Sequence, residues 1–382
     1  MKNLRLRLLA ALPVVLGCQL PLSLPTAYPT STLTDRPLLL SGPHKCVDNV
    51  CVYADSAFGG GMSVVTTEEN AASLASMTTP FVEDVVSPPP FFESYILGKG
   101  IGLVANAANA TIRHGDRLMV HSPTLLVHWK THETLEATLR EGLYQAAVHR
   151  LPAPARRVFS RQMLIGGSDI HANIETNCFR FFLGGGHDEQ AGHLGCFPPA
   201  ARMNHDCSPN VHYTITNAVQ SIVAVRDIRP GEELSVSYVD LMLPSAERKE
   251  RLRGWGFECS CALCRDEKAS AAADARLEEI NALTEKMDSG DPSVTVDDGH
   301  RLVALYEQQP GLVLYIGQQA YTRAALECAL FREECAVEYA RKAVEALEIE
   351  MGDVTSSQDV VSMRVLATEP HTHWAWGLRA TV

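Results

Sequence analysis

The chain has 382 residues, 46% hydrophobic and 20% charged, with a formal charge of −12 at pH 7. That length supplies enough apolar material for one large domain with appendages or for two domains, each burying a core. The acidic balance excludes a sequence-independent grip on DNA or RNA, which needs a surplus of Lys and Arg on one face, and suits a basic peptide better.

At the start, Lys2, Arg5 and Arg7 precede the apolar run Leu8 to Leu16, so residues 1–27 have the layout of a secretory signal peptide. The run is too short to span a bilayer, and no stable membrane span is expected. Gly17 and Ala27 offer cleavage points, although Pro25 sits badly for cutting after Ala27. From Ala27 to Pro43 the chain is rich in Pro, Ser and Thr, which predicts an unfolded spacer. Cys46 and Cys51 are close enough to pair if the protein is secreted, and are equally compatible with free thiols. Val50 to Ala57 and Met62 to Thr66 read as strands flanking Gly59, Gly60 and Gly61, followed by a helical turn or two over Glu68 to Ser76. Pro88, Pro89 and Pro90 then mark a boundary that closes an N-terminal extension, residues 28–90.

Strand-like runs follow at Phe91 to Ile96, Gly102 to Ala105 and Arg117 to Val120. Leu135, Leu139, Leu143 and Ala147 recur every four residues, predicting a helical insertion over about residues 131–165. Strand signals resume at Cys178 to Leu183, Val211 to Thr216, Ser221 to Val225 and Leu234 to Tyr238. Beyond Cys264 the chain turns helical, at Ala271 to Met287, His300 to Gln308 and Gln318 to Met351. Ala320, Ala324 and Cys328 with Ala336, Tyr339, Ala340 and Ala343 resemble the small-residue positions of a tetratricopeptide helix pair. With one such repeat visible, a packed helical cap over residues 269–382 is preferred to a solenoid. The expected class is α+β.

Four short segments concentrate chemistry. Asn204-His205-Asp206-Cys207-Ser208-Pro209-Asn210 crowds polar groups between strands, where each unpaired one costs on the order of 1 to 3 kcal/mol, so the cluster points to a turn that binds something. A Pro-capped polar turn is the plainer alternative. Glu232-Glu233-Leu234 leads a strand to Tyr238, which on its own reads as core. Gly98-Lys99-Gly100-Ile101-Gly102-Leu103 lets backbone approach a ligand closely, without the strand-then-helix setting of a phosphate loop. Cys259, Cys261 and Cys264 supply three thiolates within six residues, suited to a tetrahedral zinc, with Cys207 as the candidate fourth ligand.

In this order the motifs resemble those of SET-domain protein lysine methyltransferases, specifically the branch combining SET with a MYND zinc finger and C-terminal helices. Gly100 to Leu103 is similar to the family's cofactor loop and Asn204 to Asn210 to its N-H-x-C-x-P-N signature. Glu232 to Tyr238 matches the following strand, Cys259 to Cys264 the post-SET cluster (residues 259–268), and Thr176-Asn177-Cys178-Phe179 a short strand ahead of the signature. The resemblance covers roughly residues 91 to 265, with the SET domain itself over 91–258. It implies a β-clip with a pseudoknot, S-adenosylmethionine held by Lys99, Gly100, Ile101, Gly102, Asn204 and His205, and Tyr238 at the methyl-transfer point. Asn177, Phe179, Trp255 and Phe257 would join Tyr238 in walling a channel for a substrate lysine, on a histone or another protein.

The sequence also departs from that branch. Cys18, Cys46 and Cys51 are too few for its two-zinc finger. Trp255 stands where a tyrosine is frequent, leaving an aromatic wall still capable of cation–π contact. Ala107 to Ala110 lengthen the turn after the cofactor loop. Two other readings stand beside the enzyme: a catalytically silent SET-fold module that docks a partner, and a secreted scaffold held by disulfides, which conflicts with a thiolate zinc cluster. For location, the first residues point to the secretory pathway and the resemblance to nucleus or cytoplasm. Nothing in the sequence indicates an oligomeric state.

Overall fold

The computed structural model describes residues 38–77, 89–106, 111–185, 188–351 and 357–380. The signal-like segment, much of the spacer and the lengthened turn at Ala107 to Ala110 lie outside the described residues.

In chain order the strands are β1 (Cys46–Val47), β2 (Val50–Asp55), β3 (Met62–Thr67), β4 (Phe91–Ile96), β5 (Gly100–Ala105), β6 (Arg117–His121) and β7 (Leu125–His128). After the insertion come β8 (Cys178–Phe182), β9 (Gly192–Cys196), β10 (Asn204–His205), β11 (Val211–Thr216), β12 (Val219–Ala224) and β13 (Glu233–Val236). They form three sheets, ordered β1-β2-β3-β7-β9-β8, β10-β13-β5-β4 and β11-β12-β6. The first sheet unites strands from both sides of Pro90, so residues 46–67 and 125–196 share one core, in which Val52, Val65, Leu125 and Val127 are fully buried. Cys46 and Cys51 face each other across the β1–β2 hairpin and form a disulfide.

The helices preceding β8 are α1 (Glu68–Ser76), α2 (Trp129–Thr134), α3 (Ala137–Arg150), α4 (Ala153–Phe159) and α5 (Ile170–Asn177). Leu143 and Ala147 of α3 are buried against the first sheet, which is what the four-residue period predicted, and Tyr144 is buried beside them. Leu139, counted on the same face, is instead 48% exposed. The insertion runs longer than expected. Thr176 and Asn177 end α5 rather than opening a strand, with Asp169 capping the helix by accepting from the Ala172 N–H.

After the SET region come α6 (Ser245–Arg253), α7 (Ala262–Arg265), α8 (Glu267–Asp288), α9 (Val296–Glu307), α10 (Pro310–Ile316), α11 (Gln318–Leu330), α12 (Cys335–Met351) and α13 (Gln358–Thr368). The stretch from Gln318 to Met351 is a pair of helices, as the spacing of its small residues suggested, parted at Arg332 with φ +61 and bridged by a Cys328–Cys335 disulfide. Ala320, Ala324, Ala336, Ala340 and Ala343 are all fully buried, since small side chains let the backbones come close. At Gly299 of α9 an added Cβ would lie 3.2 Å from the Ala324 Cα. The helical region also braces the signature turn: a Cβ on Gly311 would meet the Cys207 carbonyl oxygen at 2.6 Å, and Tyr315 packs edge-on against His212 at 4.3 Å.

Candidate active site and thiol cluster

The signature turn and β13 hold each other closely. β10 runs parallel to β13, pairing Asn204 with Ser235 and His205 with Val236. Asn210 donates through Nδ2 to the Glu233 carbonyl and accepts from the Ser235 N–H, both at 2.8 Å. The Asp206 N–H donates to the Val236 carbonyl at 3.0 Å. Residues 204–210 thus grip residues 233–236 through backbone pairing and the Asn210 side chain, while the Asp206 carboxylate accepts from the Ser208 N–H within the turn.

Tyr238 lies two residues past β13 rather than within it. Its backbone N–H donates to His205 Nδ1 at 3.1 Å, and its hydroxyl donates to the Met203 carbonyl at 2.8 Å. Because Nδ1 accepts, the His205 proton sits on Nε2, which lies 3.3 Å from Cys207 Sγ. Burial, with a smaller push from Glu233, raises the Tyr238 phenol above its ordinary range, so it stays protonated. Trp255 at 5.5 Å and Phe257 at 6.2 Å, edge-on, complete an aromatic corner around the Tyr238 ring.

A cleft of about 390 Å³ opens beside this corner, within the usual range for small-molecule sites. Tyr238, Trp255 and Phe257 line it together with Lys99, Asn204 and His205. Ile101 and Asn177 also reach it, whereas Gly100 and Gly102 do not. Gly102 instead packs beneath the wall, where a Cβ would fall 2.7 Å from Asn204 Nδ2 and 2.9 Å from Ile96 Cγ1. Gly100 has φ +86, a backbone state that favours glycine. Phe179 is half-buried against the core behind, packed edge-on against Tyr213 at 4.9 Å and Phe197 at 6.1 Å, and is not among the lining residues.

Sequence reasoning missed two contributors. Glu233 receives Lys99 Nζ at 2.7 Å and Asn204 Nδ2 at 2.8 Å, tying the glycine loop to the signature. Met163, Leu164 and Ile165, the apolar end of the insertion, also line the cleft, and Met163 is 53% exposed. An unpatterned apolar triplet after a helix was their only signal.

Cys207 of the signature turn and Cys259, Cys261 and Cys264 of the post-SET stretch come together from two segments, with all four Sγ atoms within 4.8 Å of one another. Cys207 Sγ lies 3.6 Å from Cys264 Sγ and 4.0 Å from Cys259 Sγ. Cys261 caps α7, accepting from the Cys264 N–H at 3.4 Å. Hydrogen bonds from Cys207, Cys259 and Cys264 hold the Cys261 thiol well below the ordinary thiol range. Hydrogen bonds with Cys259, Cys261 and Cys264 push the Cys207 thiol above that range, so the bare set keeps protons, and four sulfur donors at this spacing fit a tetrahedral, thiolate-bound cation such as zinc.

Comparison with known proteins agrees with this geometry. A family model described as SET domain matches residues 100–239. The chain is 42% identical over 93 residues to N-lysine methyltransferase SMYD2 of Homo sapiens, covering 24% of this chain and 21% of that protein. N-lysine methyltransferase SMYD2-A of Danio rerio is 43% identical over the same length, again with 24% and 21% covered. The match therefore spans about a fifth of the length of these relatives. Residues 100–239 form a SET domain, and the chain is related to the SET-and-MYND branch of SET-domain lysine methyltransferases.

Proposed function

We propose that the chain is an S-adenosylmethionine-dependent methyltransferase acting on the side-chain amine of a protein lysine, histone or otherwise, with a zinc ion at the four thiols. The observation that carries this reading is the shared cleft: Lys99, Asn204 and His205 meet Tyr238, Trp255 and Phe257 around one space. S-adenosylmethionine supplies a methyl group already activated on a sulfonium, so the chain needs no nucleophile of its own. Lys99 would face the cofactor carboxylate, with its charge steadied by Glu233.

The chain's task is alignment and desolvation. Trp255 and Phe257 would enclose the lysine stem and exclude water, which lowers the amine pKa and favours the neutral form able to attack. Tyr238, fixed through its backbone by His205 and through its hydroxyl by Met203, would direct its oxygen dipole at the positive charge on the approaching groups. Near-attack alignment of this kind is worth roughly 7 to 11 kcal/mol in favourable intramolecular cases. Zinc at Cys207, Cys259, Cys261 and Cys264 would keep the loop bearing Phe257 against the signature turn.

Among the described residues the disulfides Cys46–Cys51, Cys178–Cys196 and Cys328–Cys335 support an oxidising compartment, where a bare group of four thiols would pair off and a metal-bound one persists. Calorimetric titration with S-adenosylmethionine tests the reading. One cofactor bound per chain, and a marked loss of affinity in Asn204→Ala, is the expected result. A folded wild-type chain with no binding would overturn it.

A further inference from the structure

A second group of metal-type ligands sits in the helical insertion, away from the four thiols. His132 of α2 and His171 and Glu175 of α5 each bring one ligand atom within 4.8 Å of the others. His171 and Glu175 are four residues apart on one helix, so their side chains rise from the same face. His132 faces them from α2, with its ring stacked on His171 at a centroid distance of 4.5 Å.

The surroundings prepare this group to receive a cation. His132 is 2% exposed, and its Nδ1 lies 2.8 Å from the hydroxyl of buried Tyr144. In the present arrangement Nε2–H donates to the Glu175 carboxylate and Nδ1 accepts from the Tyr144 hydroxyl; on metal binding the tautomer would exchange, with Nδ1 donating to the Tyr144 oxygen and Nε2 turning its lone pair to the ion. A ligating histidine characteristically anchors its other nitrogen in this way. His171 Nδ1 is shut away from solvent and finds no hydrogen-bond partner among the described residues. Such an orphaned buried nitrogen costs free energy as it stands. Arg140, a cation close to the group, directs Nη1 to the His132 carbonyl at 2.8 Å. The Glu175 side chain is 56% exposed, which leaves one side open to water.

We propose that His132, His171 and Glu175 bind a zinc ion that fastens α2 to α5. Two imidazoles and a carboxylate with a water in the fourth position suit tetrahedral zinc, which holds such donors at about 2.0 to 2.2 Å and so roughly 3.3 Å from each other. Drawing the three atoms to that spacing needs a small side-chain movement. The consequence reaches the cleft, because Thr176 and Asn177, the residues directly after Glu175, line it. A metal here would set the position of the α5 end that borders the proposed substrate space.

The test is metal content of the full chain, together with the absorption of the Co²⁺-substituted protein, and neither readout depends on methyl transfer. With Zn²⁺ alone as the probe, the wild type is expected to bind two equivalents, and His171→Ala one. Co²⁺ entering the second site should give weak ligand-field bands without the sulfur charge-transfer absorption of the thiol site. Glu175→Gln alters a half-exposed side chain and guards against a misfolded His171 variant; it should weaken the second equivalent at least tenfold. A wild type that takes up one equivalent, or a second equivalent kept at full affinity in both variants, would overturn the proposal.

Discussion

The Tyr238 backbone N–H donates to His205 Nδ1 at 3.1 Å, while the opposite nitrogen of that ring lies 3.3 Å from Cys207 Sγ. One imidazole therefore links the proposed catalytic tyrosine to the proposed metal site. His205→Ala removes the acceptor for a partly buried N–H, at a cost of about 1 to 3 kcal/mol. It should also lower zinc affinity by roughly 10 to 100-fold, as loss of an outer partner does. Urea unfolding and competition with a chromogenic chelator measure both, and unchanged zinc affinity would separate the tyrosine from the metal.

Glu233 joins Lys99 to Asn204, so Glu233→Ala should act on cofactor binding. Hydrogen bonds to a charged group contribute about 1.5 to 3 kcal/mol, and the expected loss in S-adenosylmethionine affinity is about tenfold or more. The pair is partly exposed, at 25% and 20%, so stability should change far less than affinity. Calorimetric titration alongside a thermal melt distinguishes the two effects.

Gly102→Ala forces a methyl group into Asn204 and Ile96, at 2.7 and 2.9 Å. Overpacking of this kind costs about 1 to 3 kcal/mol. The expected outcome is a lower denaturation midpoint and weaker cofactor binding through a displaced Asn204, although Gly102 itself does not line the cleft. A wild-type midpoint would show that the loop yields easily.

Acid should destabilise the fold through buried imidazoles, one of which is His121, pushed down to about 4 by burial. His193 and His212, at 0% and 8% exposure, are each pushed down to about 4 by burial. The unfolded state then binds more protons than the folded state between the two pKa values, so stability falls as pH drops from about 6.5 toward 4. Each histidine contributes a slope of about 1.4 kcal/mol per pH unit in that window. Urea midpoints across the range read the slope, and His212→Phe should flatten it by about one proton.

Much of this site was legible because its chemistry is concentrated in short segments. The Cys259-x-Cys261-x-x-Cys264 spacing and the polar turn at Asn204 announce themselves without a partner in view, and the structure brings Cys207 to the three later cysteines. The strands with clear alternation or β-branched residues, such as β3 and β11, were equally readable. β7 and β9 were not: β7 is buried on both faces and so shows no alternation, and β9 carries two glycines in five residues. Phe179 shows the limit of carrying a motif across, since its neighbours fit the pattern while its half-buried ring packs on Tyr213 and Phe197 instead of lining the cleft. Glu233 was visible as part of a motif, but its bridging role depends on which strand β5 lies beside, a fact of topology that no local pattern encodes.

The central claim is that the aromatic corner around Tyr238 positions a lysine amine for methyl transfer. Its most direct measurement is mass spectrometry of a protein mixture incubated with S-adenosylmethionine and either wild-type chain or Tyr238→Phe. The account predicts added methyl groups on lysine side chains with the wild type and a rate lower by about 100-fold or more with the variant, the usual scale for losing one preorganised polar group, while cofactor and zinc binding stay intact. Lysines left unmodified by a wild-type chain that binds both cofactor and zinc, or modified equally by both proteins, would contradict it.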